Sequence, residues 1–249
     1  MSPFASYPSL KGEAVIVTGG ATGIGASIVE HFAGQGARVG FLDIDEEEGN
    51  ALEAGTGARF VACDLRDVSA LKAAIATLQN DLGPTLALVN NAARDDRHAI
   101  EDVTPEFWDE RMATNLRHQF FASQSVAPVM RARKRGSIIN MGSVSWMLSL
   151  GNMPAYVTAK SAIQGLTRGL ARDLGPDHIR VNCVVPGWIM TERQIRLWLT
   201  REGEVDIAKN QCLPDKLYPE DVARMVLWLA ADDSRMVTAQ NFIVDGGWT

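Results

Sequence analysis

Tyr156 and Lys160 stand four residues apart in the run Tyr156-Val-Thr-Ala-Lys160, with Ser143 thirteen residues upstream. Residues four apart on an α-helix share a face, so a helix here sets a phenol beside an ammonium. A free tyrosine, with a pKa near ~10, is a poor base at neutral pH. A unit positive charge about 4 Å away, in an effective dielectric of about 20, is worth roughly 4 kcal/mol, which desolvation then reduces. That attraction brings the phenolate toward the range a general base needs, while Ser143 holds a substrate oxygen. An ordinary amphipathic helix can also carry Tyr and Lys at this spacing, so the remaining chain has to decide.

The elements that must position these residues read as follows. Glu13–Thr18 is a short apolar, β-branched run, the pattern of a strand buried on both faces. It leads directly into Thr18-Gly19-Gly20-Ala21-Thr22-Gly23-Ile24-Gly25 and then into helical periodicity to about Gln35. Strand, glycine-rich turn and helix together present free N–H groups and a helix N-terminus to a pyrophosphate. The order is Gly-x-x-x-Gly-x-Gly, not the commoner Gly-x-Gly-x-x-Gly, and a glycine turn with no ligand is the alternative. The strand at 38–42 ends at Asp43. An acid there can accept both adenosine ribose hydroxyls and repel a 2′-phosphate. Neither Thr22 nor Ile44 supplies a positive charge to offset that, so NAD is favoured over NADP. Asp43-Ile-Asp45-Glu-Glu-Glu also resembles the acidic start of a helix.

The alternation continues with strands at 58–63, 86–89, 136–141, 179–185 and 241–245, and helices at about 68–82, 104–133 (in one or two pieces) and 219–231. Strict alternation predicts a single-domain α/β fold, a doubly wound parallel sheet with helices on both faces. Ligands then sit beyond the carboxyl ends of the strands. The 249 residues, 46% hydrophobic, suffice for one domain spanning 1–249, and the formal charge of −6 argues against nucleic acid or an anionic membrane as partner. There is no apolar run of membrane-spanning length and no basic-then-apolar leader. Cys63, Cys183 and Cys212 are odd in number and lack metal-type spacing, so they read as reduced thiols of a cytoplasmic protein without a metal site.

At this point the chain resembles a short-chain dehydrogenase/reductase over nearly its whole length. The resemblance is carried, in register, by Thr18-Gly19-x-x-x-Gly23-Ile24-Gly25, Asp64, Asn90-Asn91-Ala92, Asn115, Ser143, Tyr156-x-x-x-Lys160, and Pro186-Gly187 with Thr191. It implies a seven-stranded Rossmann sheet and a catalytic tetrad of Asn115, Ser143, Tyr156 and Lys160. Lys160 would also bind the nicotinamide ribose, and Asn115 would hold a water in a proton relay. The cofactor would meet Gly19, Thr22, Gly23, Ile24, Gly25, Asp43, Asp64, Leu65, Asn91, Ala92, Pro186, Gly187, Ile189 and Thr191. Asp64 would lie at the adenine, Ile189 and Thr191 at the carboxamide. Ala93 departs from the glycine usual in the family.

A closer similarity is to bacterial sugar dehydrogenases of this family, of the xylose 1-dehydrogenase kind, through Tyr7–Gly12, Asp95–His98, Asn115–His118, Ser145-Trp146 and Arg193-Gln194. A pyranose needs polar partners and an aromatic face. Asp95, Asn152 and Gln194 can supply the first, and Trp146, Trp188 and Trp198 the second. The expected reaction is NAD-dependent oxidation of an aldose at its anomeric hydroxyl, with residues 188–213 as a lid. The alternatives are a dehydrogenase of a sugar acid or keto-deoxy acid, a 3-oxoacyl reductase or other secondary-alcohol dehydrogenase, and a non-catalytic NAD-binding protein. Asp95–His98 reads equally as a solvated loop, and His118 as a satisfied helix histidine. The resemblance implies a homotetramer, with Leu116, Phe120, Phe121, Ile163 and Leu170 at its contacts or in the core.

Overall fold

The structure, a computed structural model, describes residues 4–249; residues 1–3 of the lead-in lie outside the described residues. Seven strands form one sheet: β1 (Ala14–Thr18), β2 (Arg38–Asp43), β3 (Arg59–Ala62), β4 (Thr85–Asn90), β5 (Gly136–Met141), β6 (Ile179–Pro186) and β7 (Asn241–Val244). Their order is β3-β2-β1-β4-β5-β6-β7, and every pairing is parallel. The chain winds outward from β1 in one direction through β3, then returns to β4 and winds outward in the other. The direction reverses between β1 and β4, and a ligand crevice opens at such a switch point.

The helices are α1 (Gly23–Gly34), α2 (Glu46–Thr56), α3 (Val68–Leu82), α4 (Pro105–Met112), α5 (His118–Arg133), α6 (Pro154–Leu174), α7 (Glu192–Leu197), α8 (Arg201–Asn210) and α9 (Pro219–Ala230). Side-chain alternation in β1 divides the core. Val15 and Val17 pack with Ile28, Phe32, Val226 and Leu229 of α1 and α9, whereas Ile16 packs with Leu71, Ile75, Leu78 and Val126 of α3 and α5. A strand buried on both sides has to be apolar at every position, which is why Ala14–Val17 carries no alternation. Caps fix the helix starts: Asp45 accepts from the N–H of Glu48, and Asp67 from those of Ser69 and Ala70.

The long helix expected over 104–133 is two helices joined by a π-helical turn, Ala113–Arg117, that contains Asn115. A π turn widens the helix by one residue and frees a carbonyl, and such turns recur at functional sites. Here the Asn115 amide donates to the Arg111 carbonyl at 3.0 Å. Of the residues considered for subunit contacts, Ile163 is fully buried within the chain and belongs to its core. Phe120 is 41% exposed, while Leu116, Phe121 and Leu170 pack partly against the core. Cys63 and Cys183 are buried free thiols and Cys212 is exposed. Among the described residues no helix is long and apolar enough to cross a membrane, and no three His, Cys, Asp or Glu side chains converge as metal ligands.

Candidate active site

The turn after β1 is shaped by backbone that no side chain can enter. A Cβ on Gly25 would lie 1.8 Å from the Gly19 carbonyl oxygen, and one on Gly19, whose φ is +64°, would lie 2.6 Å from the Ala92 Cα. Gly23 also has positive φ, +57°, and faces Thr191, whose methyl would be 3.2 Å from a Cβ there. The turn is braced from β4. The Asn91 amide donates to the carbonyls of Gly19 at 2.7 Å and Thr18 at 3.2 Å, while the Thr18 hydroxyl accepts from the N–H of Asn91 at 3.1 Å. Thr22 caps α1 without a side-chain cap bond, and Ile24 begins that helix half-buried. The cradle thus offers a helix N-terminus approachable to backbone distance, which fits a dinucleotide pyrophosphate.

Asp43, the last residue of β2, accepts from the N–H of Ala21 at 2.9 Å and of Ile44 at 2.8 Å. It therefore links the end of β2 to the glycine turn and also makes the local turn contacts that its sequence context suggests. Asp64 pairs with the Arg66 guanidinium at 2.7 Å, and that hydrogen bond holds its carboxyl below the usual range. Leu65 and Ile189 are core side chains, so only their backbones remain for a ligand. Pro186 ends β6. Gly187 follows, where a Cβ would be 2.7 Å from that of Asp245.

The four residues of the implied tetrad come from three elements. Ser143 follows β5, and its hydroxyl bonds Tyr156 on α6 and accepts from the Ser145 N–H at 3.1 Å. Lys160, one turn on, is 2% exposed; its Nζ donates to the Met141 carbonyl at 2.7 Å. Asn115 is fully buried, with its side-chain oxygen accepting from the Arg94 N–H at 2.8 Å. The expectation that Lys160 acidifies Tyr156 is not met in this arrangement. Burial pushes Tyr156 well above its ordinary pKa, the charge of Asp95 adds to that, and the Ser143 hydrogen bond opposes it. Burial likewise pulls Lys160 down to about 8. Desolvation, subtracted in the sequence argument as a correction, is the larger effect for both groups.

Asp95–His98 is not a solvated loop. Asp95 accepts from the Gln194 amide at 2.6 Å and pairs with Arg193 at 3.4 Å, both on α7. Asp96 pairs with Arg193 at 2.8 Å and with Arg111, 7% exposed, at 2.6 Å. Arg97 lies over the Trp198 ring, 5.1 Å from its centroid. Asp95 and Gln194, expected as separate substrate contacts, thus hold one another across the cleft and tie α7 to this loop. Asn152, with φ +59° and exposed, lines a cavity of about 590 Å³ together with Arg97, His98, Asp102 and Trp188. Trp146 is half-buried just past Ser143. The indole N–H groups of Trp146, Trp188 and Trp198 are buried without hydrogen-bond partners.

His118 is fully buried; its Nε2 bonds the Ala92 carbonyl at 3.0 Å, and burial reinforced by the Lys160 charge pulls it down to about 3. It is a neutral packing residue. Sequence reasoning missed the buried network behind the site. The Asn90 amide donates to Asn140 at 2.8 Å and to Ser123 at 3.2 Å, and Asn140 donates to Thr167 at 3.0 Å, joining β4, β5, α5 and α6. The available signal was a single Asn towards the carboxyl end of each of two fully buried strands, since a buried amide must find partners.

Comparison with known proteins agrees with this geometry. The family model described as enoyl-(acyl carrier protein) reductase matches residues 19–249. D-xylose 1-dehydrogenase of Caulobacter vibrioides is 49% identical over 249 residues, 98% of each chain. A probable galactose dehydrogenase of Rhizobium meliloti is 49% identical over 251 residues, again 98% of each. Among solved structures, a 3-oxoacyl-[acyl-carrier protein] reductase from Brucella melitensis superposes with a TM-score of 0.89 at 32% identity, covering 98% of this chain and 94% of the other. Together with the seven-stranded parallel sheet, these matches establish that the chain is an oxidoreductase belonging to the short-chain dehydrogenase/reductase family, whose dehydrogenases use nicotinamide cofactors.

Proposed function

We propose that the enzyme oxidises a sugar hydroxyl with NAD, the anomeric C1 hydroxyl of an aldose pyranose going to the lactone. The observation that carries this reading is the Ser143–Tyr156 pair facing Asp95, a carboxylate close enough to raise the Tyr156 pKa and itself held by Gln194 from α7. A base with polar side chains beside it suits a substrate that is hydroxylated on every side. Full-length 49% identity to two sugar dehydrogenases supports the same substrate class. Asp43 at the end of β2 supports NAD, because a 2′-phosphate would meet its charge.

Bound NAD supplies the hydride acceptor. Gly19, Thr22, Gly23, Ile24 and Gly25 would hold the pyrophosphate, Asp43 the adenosine ribose, and Asp64 and Leu65 the adenine. Asn91, Ala92, Pro186, Gly187, Ile189, Thr191 and Lys160 would hold the nicotinamide half. Ser143 donates to the substrate oxygen and fixes it beside the phenol. The Tyr156 phenolate takes the hydroxyl proton as the C1 hydride leaves, so one C–H and one O–H bond become a carbonyl, a hydride and a proton. Lys160, buried one turn along α6 with its pKa pulled down to about 8, is when neutral the next acceptor for that proton. Asp95, Asn152, Gln194 and Trp146 orient the ring.

The test is a steady-state panel of aldoses, sugar acids and 3-hydroxyacyl thioesters with NAD and NADP. A site that hydrogen-bonds a hydroxyl rejects the deoxy analogue by roughly 10⁴-fold. One or a few pyranoses should therefore exceed simple secondary alcohols by orders of magnitude. The reductase description of the matched family and the Brucella structure favour a second reading, an acyl-thioester oxidoreductase. Faster turnover of thioesters than of every sugar would select it.

A further inference from the structure

The helix carrying Tyr156 and Lys160 starts without a cap of its own. A helix leaves its first N–H groups unpaired. Pro154 has none to pair, and the N-cap residue Met153 makes no side-chain cap bond. The next N–H, that of Ala155, is taken by His98 Nε2 at 3.2 Å, from 57 residues away in the chain. The other ring nitrogen, Nδ1, lies 2.9 Å from the Asp96 carbonyl oxygen. A carbonyl only accepts and a backbone N–H only donates, so the two partners dictate the tautomer: hydrogen on Nδ1, lone pair on Nε2. The His98 N–H donates to the Asn152 carbonyl at 2.7 Å, and the ring meets Phe107 edge-on at 4.9 Å. His98 therefore ties three pieces together. These are the loop bearing Asp95, the turn bearing Asn152, and the helix end one residue before Tyr156.

We propose that His98 is the N-terminal cap of α6 and a positioning residue for Tyr156, and that only its neutral ring performs this role. The proposal rests on Tyr156 being the base. A proton on Nε2 would set N–H against N–H and place a positive charge at the helix N-terminus, where the macrodipole opposes it. The charged groups around the ring do not offset this. Asp96 is engaged by Arg94, Arg111 and Arg193, Arg97 and Asp102 share the cavity wall with His98, and the first turn of α6 has no acid.

Two variants separate capping from mere packing. His98→Gln keeps an acceptor able to reach Ala155, whereas His98→Phe keeps a ring against Phe107 and loses both bonds. In His98→Phe the hydrogen-exchange protection of the Ala155 amide should fall about tenfold, with kcat falling at least as far and KM for NAD unchanged. His98→Gln should restore both. Unchanged protection in His98→Phe, or damage in His98→Gln equal to that in His98→Phe, would each overturn the cap. If His98→Phe does not fold, the Gln variant decides: protection at Ala155 and kcat near wild type uphold the cap, and loss of protection there overturns it. If no sugar is turned over while protection at Ala155 follows the ring as described, the substrate reading falls and the cap stands.

Discussion

Lys160 Nζ lies 5.6 Å from the centroid of the Tyr156 ring and spends a 2.7 Å hydrogen bond on the Met141 carbonyl at the end of β5. The ammonium is anchored to the sheet, and the phenol is presented to the cleft beside Ser143. Burial pushes Tyr156 up and pulls Lys160 down to about 8, and the Asp95 charge raises both.

Turnover should rise with pH, pass half its plateau near pH 8 and level off above that, because Lys160, held at about 8, must lose its proton before it can take one from Tyr156. Tyr156→Phe keeps the ring and removes the acceptor. Its kcat should fall about 10²–10⁴-fold while NAD affinity, read by equilibrium titration, stays as in the wild type. Activity near the wild-type level in Tyr156→Phe would end this account of the base.

The proposed preference for NAD assigns the repulsion of a 2′-phosphate to Asp43, whose carboxylate also holds the Ala21 N–H at 2.9 Å. Asp43→Ala should lower kcat/KM for NAD about tenfold, a loss of ~1.4 kcal/mol, and raise that for NADP. Equal use of NADP by the unmodified enzyme would refute the assigned repulsion.

Asp95 raises Tyr156 through its charge and accepts from Gln194 at 2.6 Å. Asp95→Asn removes the charge and keeps an acceptor oxygen for Gln194. The acid limb of the pH–rate profile should move to lower pH, because the Asp95 charge raises both Lys160 and Tyr156 and its loss lets each give up a proton more readily. KM for the sugar should rise about tenfold from loss of a charge-assisted contact. A limb that stays in place would show that Asp95 does not act on the base.

His118 gives a pH dependence of stability. Its pKa is about 3 in the fold and near ~6.5 when unfolded, so the unfolded chain binds the extra proton between those values. Stability is complete above ~6.5 and is lost as pH falls, by about 2 kcal/mol at pH 5 from this group alone. Urea unfolding of His118→Gln at pH 8 and pH 5 should show a smaller difference than the wild type. An equal difference would remove His118 from the acid sensitivity.

The strand positions, the longer helices and the doubly wound class were legible because apolar runs and glycine turns are local signals. The glycine turn, Asp43 and the Tyr156–Lys160 spacing are likewise short-range patterns. What the sequence could not show was long-range. The bond from Ala155 to His98 and the pairing of Asp95 with Gln194 join segments 57 and 99 residues apart. Nor does spacing reveal how much water a phenol loses, and so the Tyr156 pKa was expected to move down when burial moves it up. The π turn at 113–117 was hidden for a related reason, since one extra residue in a helix leaves its composition unaltered.

The brace between Thr18 and Asn91 bears on how the protein is made. The glycine turn is translated early, yet the side chains that set its shape belong to a strand end 73 residues later. A nascent chain that has emerged only through α3 holds β1, β2 and β3 but lacks the neighbour on the other side of β1. Such non-local pairings form late in folding. The glycine turn therefore keeps its braced shape only once β4 has docked beside β1.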